Sequence, residues 1–68
     1  MKLGEPQILG AVSLPKEKIE SMRLIAEGAA ALMTGDYDIE RIEIRLKSNN
    51  CYLYVFASGH WMIICIEA

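Results

Sequence analysis

From Arg41 to Ala68 the chain reads RIEIRLKSNNCYLYVFASGHWMIICIEA, with apolar residues at every second position or in short unbroken runs. This pattern predicts three short strands joined by two tight turns. Asn49-Asn50 suits a two-residue turn because Asn tolerates positive φ, and Ser58-Gly59 suits a second because Gly takes positive φ without steric cost. Pairing outward from the first turn sets Leu46 opposite Leu53, Ile44 opposite Val55 and Ile42 opposite Ala57. Pairing outward from the second sets Val55 opposite Met62, Leu53 opposite Ile64 and Cys51 opposite Ile66. All of these residues are apolar and share one face, so the two turns agree. The other face then carries Glu43, Arg45 and Lys47, then Tyr52, Tyr54 and Phe56, then Trp61, Ile63 and Cys65. Only the first strand's share of that face is polar, and the rest calls for a cover.

Upstream, Met1 to Pro6 reads as a loose terminus and Gln7 to Leu14 as a strand with Ile8, Gly10, Val12 and Leu14 on one side. Pro15 marks a helix start, and the helix is expected to run to about Thr34 and stop at Gly35. At about 100° per residue, Ile19, Met22, Ile25, Ala26, Ala29, Leu32 and Met33 form a broad apolar arc for packing on the sheet. Lys16, Glu20, Arg23 and Glu27 form a charged stripe. Leu24, Gly28 and Ala31 make a flank too apolar and small-sided for a helix that faces only water. Gly28 costs about 1 kcal/mol of helix propensity relative to Ala, so a second helix packing there would give it a reason. Gly35-Asp36-Tyr37-Asp38 is a polar turn into the sheet.

The fold expected is therefore α+β, one helix on a mostly antiparallel sheet in the order β-α-β-β-β, in a single domain spanning residues 1–68. At 68 residues and 53% hydrophobic, the chain has too little interior to hide its apolar side chains, which favours a homo-oligomer or a permanent partner. A net charge of −2 lacks a nucleic-acid footprint. The aromatic stripe beside Arg45 and Lys47 is short of cations for base stacking. No apolar run approaches a membrane span, and the N-terminus lacks a secretory h-region, so a cytoplasmic protein is expected.

Chemistry is sparse. His60 reads as a turn residue rather than a catalytic base. Cys51, His60 and Cys65 lack metal-ligand spacing, and the assigned register puts the two thiols on opposite faces, where they cannot bridge. Free thiols in a reducing compartment are expected. Asp36 and Asp38 read as solvated carboxylates, and no phosphate-cradling glycine loop is present. No catalytic residue, metal ligand or cofactor site is expected, and the chain is not read as an enzyme.

The order of elements, with Leu9-Gly10 before the helix, the Ile25-Ala26 to Leu32 helix end, the turn before Ile39, the Asn49-Asn50 hairpin and a final strand ending at Glu67-Ala68, resembles the second half of a roadblock/LC7 domain, in particular the short Ragulator-type subunits. The chain departs from that family in lacking its further helix and strand at the start and a helix that often ends it. The resemblance implies a non-enzymatic scaffold that forms a homodimer, or a heterodimer with another roadblock protein, and docks or regulates a small Ras-like GTPase. The implied dimer interface comprises Leu24, Gly28 and Ala31 of the helix and Arg41, Glu43 and Arg45 of the following strand. The uncovered face of Tyr52, Tyr54, Phe56, Trp61 and Ile63 is expected to be covered by a second copy or a partner. The alternative is a structural subunit that self-assembles through that face without a GTPase.

Overall fold

A computed structural model describes residues 3–10, 13–35, 38–47 and 50–66. It contains β1 (Gln7–Leu9), α1 (Lys16–Met33), β2 (Arg41–Leu46), β3 (Cys51–Phe56) and β4 (Trp61–Cys65). The sheet order is β1-β4-β3-β2, with β1 parallel to β4 and the other two pairings antiparallel. The expected α+β class and element order hold, and the mixed sheet has β1 beside the last strand. β1 is shorter than the Gln7 to Leu14 strand expected: Gly10 follows it at φ +114°, where an added Cβ would collide with the Cys65 carbonyl. Val12, Asp36, Tyr37, Asn49, Glu67 and Ala68, on which parts of the expectation fell, lie outside the described residues.

The helix starts where Pro15 stops donating. Its carbonyl accepts from the amides of Lys18 (3.0 Å) and Ile19 (3.2 Å), and Pro is tolerated there because its missing N–H would have no helical partner. The helix ends as the Thr34 hydroxyl and amide both donate to the Ala31 carbonyl. Met22, Ala26, Ala29 and Ala30 are buried. Three of these are alanines, which let the helix approach the sheet closely, and Met22 fills the remaining gap. The helix lies over β3, whose Cys51, Leu53 and Val55 are fully buried beneath it.

Both hairpin registers differ from those expected. In the structure Leu46 faces Cys51, Ile44 faces Leu53 and Ile42 faces Val55, a shift of two residues that leaves each side chain on its expected face. Between β3 and β4 the shift is odd. Val55 faces Trp61, Leu53 faces Ile63 and Cys51 faces Cys65. The Phe56 amide donates to the His60 carbonyl and the Gly59 amide to the Phe56 carbonyl, so the loop is Ala57-Ser58-Gly59, three residues rather than two. Gly59 has the positive φ (+91°) that such a loop needs. Because side chains alternate with period two, this single extra residue turns all of β4 over. Trp61, Ile63 and Cys65 enter the core, and Met62 and Ile64 face outward.

Two corrections follow. Trp61 and Ile63, expected on the uncovered face, are buried to 1% and 0% exposure. Cys51 and Cys65, expected as separated free thiols, are joined in a disulfide between directly opposed residues with Cα atoms 4.1 Å apart. The N-terminus is also less loose than expected. Leu3 is buried, and Arg23 donates through one guanidinium nitrogen to the carbonyls of Leu3 and Gly4 (2.8 Å each). Trp61 Nε1 donates to the same Gly4 carbonyl (2.7 Å), and the Arg23 guanidinium stands 5.5 Å from the Trp61 ring centroid. Glu5 and Glu20 hold Arg23 from outside at 3.6 and 3.5 Å.

The disulfide closes a 14-residue separation. A loop of that size restricts the unfolded chain by about 3 kcal/mol. Non-reducing mass spectrometry should find a Cys51–Cys65 cross-link, and adding a thiol reductant should lower the melting temperature by several degrees without changing the far-UV spectrum. A chain that is fully alkylated without prior reduction would contradict this register.

Candidate interaction surfaces

The described residues leave three surfaces open. The first is the sheet face away from the helix. Its rows follow from the pairing: Arg45, Tyr52, Ile64 and Leu9; then Glu43, Tyr54, Met62 and Gln7; then Arg41 and Phe56. Leu9 is 40% exposed, and Tyr52, Tyr54, Phe56, Met62 and Ile64 are half-buried by one another, with no element above them. His60 stacks on Phe56 at 5.8 Å between ring centroids, a packing contact at the loop's exit. Of the residues expected on this face, Tyr52, Tyr54 and Phe56 are there. Sequence reasoning missed Met62 and Ile64 because it gave the second turn one residue too few, and Leu9 because nothing local to β1 tells that it pairs with β4.

On this face the Tyr54 hydroxyl donates to Glu43 Oε2. That hydrogen bond holds the Tyr54 phenol above its ordinary value, and partial desolvation and the charge of Glu43 push the same way, while Arg41 opposes them. Arg45, expected opposite Tyr54, is opposite Tyr52 instead. Arg41 and Arg45 stand at either end of the row of outward side chains on β2, so this face carries more positive than negative charge.

The second surface is the outer side of the helix. Leu24 is 71% exposed, and Ala31 is also exposed. A Cβ built on Gly28 meets nothing within 4 Å, so no packing among the described residues accounts for the glycine. Glu17, Glu20 and Glu27 lie around these residues at about 100° per residue, with Lys16 in line with Glu27 and Arg23 paired to Glu20, so the surface is acidic on balance. Ile25 (42%) and Leu32 (53%), expected to pack on the sheet, are also exposed. They lie about 160–180° around the helix from Arg23. Since Arg23 reaches β4, this flank is on the β2 side.

The third surface is the β2 edge. The Ala57 amide donates to the Glu40 carbonyl (2.9 Å), which marks Glu40–Ala57 as a hydrogen-bonded pair. Such pairs alternate in an antiparallel ladder, so the backbone groups of Ile42, Ile44 and Leu46 point to β3, and those of Arg41, Glu43 and Arg45 point to the open edge. The inward side chains Ile42, Ile44 and Leu46 pack against the core yet stay half-exposed, because the helix is centred over β3 and covers the edge strand only in part. No helix of the described residues is long and apolar enough to cross a membrane.

Compared with family models, curated proteins and solved structures, the chain matches none. The likeness to roadblock domains therefore stands on the residues that suggested it, and function is argued from the surfaces themselves.

The Tyr54–Glu43 contact makes a pH-dependent prediction. Removing the carboxylate by Glu43→Gln should bring the Tyr54 titration down toward the ordinary tyrosine value, read by ultraviolet absorbance of the phenolate. In the native chain the bond is present while Tyr54 is protonated and is lost as pH rises through its raised pKa. An unchanged titration in the variant would dissociate the shift from Glu43.

Proposed function

We propose that the chain is a non-enzymatic dimerisation module whose β2 edge pairs with β2 of a second copy. The observation that carries this is the half-covered strand. Ile42, Ile44 and Leu46 are apolar, face the core side and are only partly covered, and the exposed flank of Ile25 and Leu32 stands on the same side. A second copy across the edge would pair the open backbone groups and bring its own flank against that gap.

Charge and apolar matching select the register. An antiparallel, two-fold pairing centred on Ile44 sets Glu43 against Arg45 twice and Ile42 against Leu46 twice, with the like charges Arg41 and Lys47 meeting only at its ends. Centring it on Glu43 would set Glu43 against itself and Arg41 against Arg45, which is repulsive at each position. Edge strands are commonly blunted by charge. Centring the pairing on Ile42 would also set Arg41 against Glu43 twice, but would put Glu40 against Ile44. Charge and apolar matching together favour the Ile44 register, which suits a closed two-fold dimer. Leu24, Gly28 and Ala31, which the roadblock resemblance placed in the dimer interface, face outward and lie farther from the seam than Ile25 and Leu32.

The use of such a dimer as a scaffold that docks or regulates a small Ras-like GTPase is what the roadblock resemblance implies, and it is proposed on that basis alone. The Cys51–Cys65 disulfide weighs against it, since structural disulfides belong chiefly to oxidising compartments rather than the cytoplasm.

Opposite-charge pairs across strands contribute about 0.2–1 kcal/mol each, so reversing one residue at both symmetric pairs should weaken the dimer by roughly tenfold. By light scattering across the micromolar range, Glu43→Arg and Arg45→Glu should each lower the mass below that of the wild type, and the double exchange should restore it. Equal masses for all four proteins would rule out this seam. Pull-down of Ras-like GTPases by the dimeric forms and not by the single variants would support the docking role; no capture by any form would remove it.

A further inference from the structure

We infer that the open sheet face binds the outer helix face of a second copy, so that copies stack head to tail. This contact does not rest on the β2 seam, with which it shares only the outward side chains of β2. Both faces are apolar at the centre and lie on opposite sides of a two-layer domain. The sheet face centres on Tyr52, Ile64 and Met62, and the helix face on Leu24, with Gly28 and Ala31 beside it. Their charges are opposite. Arg41 and Arg45 border the sheet face, while Glu17, Glu20 and Glu27 border the helix face. Two sheet faces brought together with β2 over β2 would instead oppose arginines to arginines, and with β2 over β1 would lay them on Gln7 and Leu9 without a carboxylate partner.

The shapes also match. An 18-residue helix is about 27 Å long, and strands of five or six residues run about 17–20 Å, so the helix spans the sheet it would cover. Gly28, with nothing near its missing side chain among the described residues, lets the helix backbone approach the aromatic rows of the next copy. Every sheet in the stack would then carry helices on both faces. A contact between different patches on opposite sides of a thin domain does not close on itself, and it generates an open linear assembly rather than a dimer.

The test isolates this contact by working in the Glu43→Arg background, which disables the β2 seam and leaves the sheet face basic. In that background the mass by sedimentation should rise with concentration without reaching a plateau, and should fall at high salt. Leu24→Arg spoils the helix face and Tyr52→Glu spoils the sheet face. Each side chain is on the surface, and circular dichroism checks that each variant folds. Each variant alone should be monomeric, and mixing the two should give a 1:1 complex, because each retains the face the other has lost. Normal assembly by either variant, or no complex on mixing, would overturn the proposal. Assembly lost with Tyr52→Glu but kept with Leu24→Arg would instead mean sheet-to-sheet contact, and would equally overturn it. Failure of the β2 seam shows separately, as a Glu43→Arg chain no less associated than the wild type.

Discussion

The burial of Trp61 is the constraint on which the rest of the molecule depends. It is the largest fully buried side chain, and its indole N–H is satisfied by the Gly4 carbonyl. A buried indole N–H without a partner would cost about 1–3 kcal/mol, so the N-terminal segment is held down to supply one. Arg23 completes the arrangement by standing over the ring and donating through one guanidinium nitrogen to the Leu3 and Gly4 carbonyls. One side chain thereby ties β4, the helix and the N-terminal segment together. With Trp61 inside, Ile63 and Cys65 must follow on the same face, and Cys65 arrives directly opposite Cys51.

The position of the helix is the second organising fact. Its alanines let it settle closely over β3, and a single helix set at the centre of a four-stranded sheet cannot also cover the edge completely. Ile42, Ile44 and Leu46 stay half-exposed for that reason, and Ile25 and Leu32 on the same side stay exposed. A chain of this size has a high ratio of surface to interior, so apolar residues beyond what one helix and one sheet can enclose must appear outside. They appear as coherent faces rather than as scattered residues, and coherent apolar faces mark interaction sites.

Charge is distributed to match those faces. Acidic residues border the helix, arginines border the sheet, and the signs alternate along β2. Net charge alone says little about such a molecule. Its segregation distinguishes which surfaces can meet, both across the β2 edge and between the two sides of the domain, and it disfavours like surfaces meeting. The Tyr54–Glu43 hydrogen bond belongs to the same pattern, since it keeps a carboxylate occupied on the basic face.

Much of this was legible in the residues. The alternation along RIEIRL and CYLYVF fixed the strands, Pro15 fixed the helix start, and the 3.6-residue period marked Met22, Ala26 and Ala29 as buried and Leu24, Gly28 and Ala31 as a separate outward face. These are local properties, set by φ/ψ preference and by the spacing of apolar side chains. The face of β4 was not legible, because WMIIC is apolar at every position and either phase satisfies the pattern. Only the tertiary structure decided between them, through a loop of three residues instead of two and through the partners that Trp61 finds in Gly4 and Arg23. The same choice decided the disulfide and the composition of the open face. Sequence alone determines which residues want to be buried; which of two equally apolar sides of a strand is buried depends on contacts made by residues far apart in the chain.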